Sequence, residues 1–159
     1  MALQKVLRLH SEIEDILQYL NTPGRGVPEE HFNVSQMQTL VSQISTNLEL
    51  ESVLLSMSGE WDNTLIPLSQ RAFELIFWEI LENSKKFHPH QHPTIEITIS
   101  RTATDTIRVK IQDDGLSLSP EQLSQMWMPY YQGEKYSTGE VKGMGLGLSM
   151  VASLIWEIG

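Results

Sequence analysis

Apolar and polar positions recur with changing period along the chain, and each change of period marks a predicted element. Between Leu3 and Leu20 the apolar positions Leu3, Val6, Ile13, Leu17 and Leu20 fall at spacings of three and four. His10 holds the one seam position that is not apolar. That pattern predicts a helix with a partner-seeking stripe. Fewer than three heptads are marginal in isolation, so the stripe is expected to pair with another helix, between chains. Asn21 to Gly26, with its Pro and two Gly, ends the helix. A cap at Asn33 or Ser35 then opens a second helix reaching about Asn47, with Met37, Leu40, Val41, Ile44 and Leu48 at helical spacing. Val53, Leu55 and Met57 alternate with polar or small residues and predict a short strand closed by Ser58-Gly59.

After Pro67 the stretch Leu68 to Phe87 is dense in Leu, Ile, Phe and Trp without a breaker. It predicts a long, largely buried helix that Pro89 and Pro93 stop. Ile95, Ile97 and Ile99 alternate, as do Ile107, Val109 and Ile111, predicting two antiparallel strands joined by the polar loop Arg101 to Thr106. Ser119-Pro120 starts a further helix, and Tyr131 to Lys142 is polar, glycine-containing and aperiodic, which reads as a mobile loop. Gly143-Met-Gly-Leu-Gly-Leu148 leads into a last helix, Leu146 to Ile158, with Leu148, Val151, Ala152 and Ile155 on one side. No internal repeat interrupts this order.

Composition narrows the partners. At 159 residues the chain holds about one domain and an appendage, and 40% hydrophobic with 19% charged residues is an ordinary globular balance. Eleven Lys and Arg against 20 Asp and Glu give a net charge of −9 with no basic run, so nucleic acid is not an expected partner. The absence of cysteine removes disulfides, thiolate metal sites and cysteine nucleophiles, and suits a reducing compartment. Charges interrupt the N-terminal stretch every few residues, so neither a signal peptide nor direct membrane insertion is expected. A cytoplasmic location follows as the expectation, whether or not a parent protein is anchored in a membrane.

Three features carry chemistry. On the long helix Glu79, Asn83 and Lys86 are spaced four and then three apart, which aligns a carboxylate, an amide and an ammonium along one face. Taken alone they suit a solvent-facing stripe as well as a site, with Glu82 and Lys85 as surface charges. Along Ile107 to Asp113 the period of two puts Asp113 at the end of the apolar row. A buried carboxylate there needs hydrogen-bond donors, which a purine amino group supplies; a simple Asp-Gly turn at Asp113-Asp114-Gly115 is the other reading. Gly143, Gly145 and Gly147 let backbone approach a ligand, with helix-start N–H groups suited to phosphate, or else form a flexible hinge. The stretch is neither a P-loop, lacking Gly-Lys-Ser/Thr, nor the dinucleotide fingerprint.

Together, in this order, the three resemble the ATP-binding catalytic domain of sensor histidine kinases, within the group that includes gyrase, Hsp90 and MutL. Glu79-Ile-Leu-Glu-Asn-Ser-Lys-Lys-Phe87 looks like that family's N box, Asp113-Asp-Gly115 like its first glycine box, and Gly143 to Leu148 like its second. Trp127-Met-Pro129-Tyr130 stands where the aromatic-Pro-aromatic F box belongs. The resemblance covers roughly Phe32 to Gly159, and Lys86-Phe87 favours the kinase branch over the gyrase and Hsp90 branches. It implies an α/β two-layer sandwich, helices on a mixed sheet of the Bergerat type, over residues 25–159. Residues 1–24 would be the end of a dimerisation hairpin and its linker.

The resemblance also implies roles. Asn83 would help hold Mg²⁺ on the ATP phosphates, Lys86 would contact phosphate, Phe87 would lie near adenine, and Asp113, with Gly115 in its turn, would accept from the adenine amino group. Glu79 matches the acidic position that polarises water in the ATPase branches. Gly143, Gly145 and Gly147, with Leu146 and Leu148 between and after them, would hinge a lid over Tyr131 to Lys142. Partners implied are ATP, a phosphoacceptor histidine domain, a response regulator, and a second copy through the N-terminal helix. A non-catalytic nucleotide- or partner-binding module of the same fold is the alternative, and an ATPase of the gyrase or Hsp90 type a third.

Departures from the family pattern qualify the match. Ser117 replaces the second glycine of the first glycine box, and Gln132 stands where relatives carry a basic residue, leaving Lys135 or Lys142 as lid cations. His10 is followed by Ser11 rather than an acidic residue, so the acceptor histidine is expected to lie outside this chain. The sequence stops at Gly159, where the family continues into two further strands, so a fragment with an open sheet edge is expected. His88, His90 and His92 are dense enough for a metal, but their interleaved prolines are expected to keep them apart.

Overall fold

A computed structural model of the chain describes residues 31–104, 106–131 and 145–157. The N-terminal helix expected over Leu3 to Leu20, with its dimerisation role, lies outside the described residues, as do Gly143 and all of the expected lid except Tyr131. Two compact units divide the described chain, one within Glu29–Ser117 and one within Leu118–Gly159.

In the first unit, β1 (Phe32–Asn33) runs into a 3-10 turn (Val34–Gln36) and α1 (Met37–Asn47). Asn33 caps that turn by accepting from the Ser35 N–H at 3.0 Å, one of the two caps the sequence offered. β2 (Ser52–Met57) and β3 (Leu65–Ile66) follow, then α2 (Gln70–Phe87), β4 (Thr94–Arg101) and β5 (Ile107–Asp113). The Ser69 hydroxyl accepts from Ala72 N–H at 3.1 Å to open α2, and His88, extended at ψ 135° ahead of Pro89, closes it. Lys85 and Lys86 in the last turn oppose the helix dipole.

The sheet order is β2-β4-β5, with β2 and β4 parallel and β4 and β5 antiparallel. A parallel pair needs a long crossover, and α2 lies within it; the hairpin that follows needs only a short loop. β4 holds the centre, with Ile95, Ile97 and Ile99 fully buried and Glu96 and Thr98 exposed between them. α1 packs on α2 and on β2. Phe32, Phe73 and Phe77 stack through the core, with ring centroids 4.3 Å and then 5.3 Å apart. This is the expected mixed sheet with helices. β1 and β3 are an addition: they pair antiparallel, Phe32 opposite Ile66, over two residues each, too short for a periodic signal.

In this unit three sequence expectations need correction. α2 is not largely buried: its core face is Ala72, Phe73, Ile76, Phe77, Leu81 and Ser84, and the rest is half-buried or exposed. β5 is an edge strand of the described sheet, so its apolar row is only half-covered and Val109 is 36% exposed. Lys85 is no plain surface charge. Its ammonium donates to the Leu48 carbonyl at 2.6 Å and sits 3.5 Å from Glu49, tying α2 to the turn after α1.

In the second unit, α3 (Pro120–Gln125) begins with a full capping box, Ser119 accepting from Gln122 N–H while the Gln122 amide oxygen accepts from Ser119 N–H. α4 (Gly147–Glu157) buries Met150, Val151, Ala152 and Leu154, with Leu146 just before it. That corrects the expected face, because Leu148 is half-buried and Ile155 is 44% exposed. A helix apolar on nearly all sides presents several candidate stripes, and periodicity alone does not choose among them.

Candidate functional site

Asp113 ends β5 opposite Ile95, and each of its carboxylate oxygens accepts one hydrogen bond inside the first unit. One oxygen accepts from the Ser84 hydroxyl at 3.0 Å, the other from the Gly115 N–H at 2.8 Å. Ser84 follows Asn83 on α2, so the helix that carries the polar stripe also grips the acidic turn. Asp113 itself is exposed rather than buried, because the strand that carries it is at the sheet edge. Two lone pairs are thus engaged within the protein, and the carboxylate keeps acceptor capacity toward solvent.

Gly115 shows why glycine stands there. A side-chain carbon built on it would fall 2.7 Å from the Asp113 carboxylate oxygen, displacing the group that its own N–H now holds. Asp114 turns the other way, accepting from Thr94 N–H at 2.8 Å. That bond holds the Asp114 carboxyl below the usual carboxylate range, with further lowering from the nearby His88.

On α2, Glu79, Asn83 and Lys86 share one flank of the buried face and are all half-buried. Phe87 is 52% exposed, with the Lys86 ammonium 5.4 Å from its ring centroid. The structure therefore brings together the N-box stripe and the first glycine box through the Ser84 contact. Sequence reasoning passed over Ser84. Its signal was available: it is the one small hydroxyl between Asn83 and the lysines, four residues after Ile80, whose carbonyl it also meets at 3.2 Å.

The second unit holds the other sequence-predicted residues. Gly145 has φ +71°, and a side-chain carbon there would run into the Tyr131 carbonyl oxygen. The Gly145 carbonyl in turn accepts from Tyr130 N–H at 3.0 Å. The two ends of the segment between Tyr131 and Gly145 are clasped backbone to backbone. Leu146 is buried, Gly147 opens α4 and Leu148 is half-buried beside it. Trp127, Met128 and Tyr130 of the aromatic-Pro-aromatic stretch are all exposed, Tyr130 with φ +63°. His88 and His90 sit edge to face with centroids 6.0 Å apart.

Residues 69–159, from the start of α2 onward, match the family of histidine kinase-, DNA gyrase B- and HSP90-like ATPases. The chain belongs to that family. It is 28% identical to the sensor histidine kinase CpxA of Escherichia coli K12, over 94% of this chain and 32% of CpxA. It is 25% identical to sporulation kinase C of Bacillus subtilis 168, over 79% of this chain and 29% of that kinase. The chain thus spans about a third or less of the length of the curated relatives it matches. Among solved structures, the catalytic domain of histidine kinase ThkA aligns with TM-score 0.60 at 16% identity, over 80% of both chains. Full-length ShkA in complex with AMPPNP aligns with TM-score 0.62 at 19% identity, over 98% of this chain and 32% of ShkA. At those identities the likeness is one of fold. The mixed α/β architecture is that of a histidine kinase ATP-binding catalytic domain.

Proposed function

We propose that this chain binds Mg-ATP and donates the γ-phosphoryl group to a phosphoacceptor histidine outside it, in a relay that ends on a response-regulator aspartate. The observation that carries this reading is the Asp113 carboxylate, held at the end of β5 by Ser84 and by the Gly115 N–H, with acceptor capacity still directed outward. That is the chemistry an adenine amino group requires. Gly115 fits the same reading, since a side-chain carbon there would fall 2.7 Å from the Asp113 oxygen and displace the carboxylate.

Within the proposal Asp113 reads the base, Phe87 offers an exposed ring for it, and Lys86 supplies charge to the phosphates. Asn83 provides a neutral amide oxygen for Mg²⁺, which when bound neutralises phosphate charge; Glu79 is the acidic group on the same stripe. Gly143, Gly145 and Gly147, with Leu146 and Leu148, belong to the second glycine box, whose backbone N–H groups suit phosphate. Catalysis of this kind rests on positioning and charge neutralisation more than on covalent work by the protein. Residues 1–24 serve in the proposal as a dimerisation segment and residues 25–159 as the catalytic domain.

Calorimetric titration of ATP, with and without Mg²⁺, tests the binding half. Mg-dependent binding is expected for the wild-type chain and is expected to fall at least about tenfold, some 1.4 kcal/mol, in Asp113→Asn and in Asn83→Ala. Transfer of label from γ-labelled ATP to a supplied acceptor domain tests the kinase half. A chain that holds ATP and never loses its γ-phosphate is a binding module; a folded chain that binds no ATP overturns the reading.

A further inference from the structure

His88 closes α2 and its side chain is only 9% exposed, in a loop whose neighbours Pro89 and His90 are both exposed. An imidazole withdrawn from water at a surface loop needs partners, and it has two. Its Nδ1 accepts from the His90 N–H at 3.3 Å, which leaves the proton of the neutral ring on Nε2. That Nε2 lies 3.3 Å from the Asp114 carboxylate oxygen that also accepts from Thr94 N–H. The ring edge closes over the turn: a side-chain carbon built at Gly115 would lie 3.8 Å from His88 Cδ2.

Ser84 lies on α2 and His88 at its C-terminal cap four residues later; Ser84 donates to the Asp113 carboxylate, and the His88 Nε2 stands 3.3 Å from that of Asp114. We propose that His88 is a positioning residue for base recognition: through Asp114 it fixes the turn that aims the Asp113 carboxylate. His88 touches no nucleotide in this scheme. The proposal rests on the reading of Asp113 as acceptor for the adenine amino group.

The test is the preference for ATP over inosine triphosphate, which lacks that amino group, measured by calorimetry on the whole chain with Mg²⁺. In the wild-type chain ATP is expected to bind more tightly than inosine triphosphate, and Asp113→Asn is expected to erase the difference. His88→Ala is expected to cut the preference roughly tenfold, by weakening ATP while inosine triphosphate stays within about twofold. His88→Gln, which keeps an N–H donor of similar reach, is expected to recover most of it.

Equal weakening of both nucleotides in His88→Ala would mean a general structural role and overturn the proposal, as would an unchanged preference. Should the wild-type chain show no preference, or Asp113→Asn keep it, the Asp113 reading itself fails and this inference with it. If His88→Ala does not fold, the Gln variant decides: a preference lost there in a folded chain contradicts the donor role.

Discussion

The two glycine boxes look alike in sequence, as short glycine-bearing stretches before or after regular elements, yet they are built on opposite principles. In the first, Gly115 has no left-handed backbone; it is small so that a side chain, the Asp113 carboxylate, can turn back onto its N–H. In the second, Gly145 has φ +71° and faces the Tyr131 carbonyl, so the constraint is on backbone alone. One box is organised by carboxylates and their donors, the other by main-chain shape. The lesson is that a glycine motif does not name its own cause.

Gly145→Ala should have the largest effect on stability. A side chain at that φ is strained, and the atom it would meet is a carbonyl that cannot rotate away, so we expect a loss of more than ~1 kcal/mol in denaturant unfolding. Faster exchange of the Tyr130 amide, which the Gly145 carbonyl now holds, should accompany it. An Ala variant as stable as wild type would show that the clasp has an equivalent alternative backbone. Gly115→Ala should cost less, under about 1 kcal/mol, since the displaced atom belongs to a side chain and the lost bond is exposed. Its effect should fall on ligand binding instead, with ATP affinity reduced several-fold. If the two substitutions cost the same stability and neither touches binding, the contrast is wrong.

How much of this was legible varies by physical cause. Alternation placed Ile95, Ile97 and Ile99 and also Ile107, Val109 and Ile111 on faces correctly, because period two follows from strand geometry. Depth was not legible. Ile99 and Val109 are register partners, yet one is fully buried and the other 36% exposed, because among the described residues β4 has strand neighbours on both sides and β5 on one. The same edge position leaves Asp113 exposed. Caps at Ser69 and Ser119 act locally, so Ser119-Pro120 could be read directly, and β1 with β3 could not, being a tertiary pairing of two-residue strands. The candidate site divides likewise: the shared flank of Glu79, Asn83 and Lys86 and the place of Asp113 at the end of β5 follow from spacing, while Ser84 to Asp113 and His88 to Asp114 are contacts across 29 and 26 positions that no local pattern encodes.

Acid gives the smallest and sharpest test of the contrast between the boxes. Asp114 is held below its ordinary carboxylate range chiefly by the Thr94 N–H, so in a window beneath about pH 4 the unfolded chain binds a proton there that the folded chain does not. The sign follows: this contribution is complete above the unfolded value and disappears as pH falls through the folded one. The Thr94 amide resonance should therefore titrate with a midpoint below that of an ordinary aspartate. The Tyr130 amide, bonded to the carbonyl of Gly145, should show no such step. Asp114→Asn should abolish the Thr94 titration and flatten the acid limb of stability slightly. A Tyr130 step in the same window would mean that the second box also depends on a carboxylate, and the division drawn between them would fail.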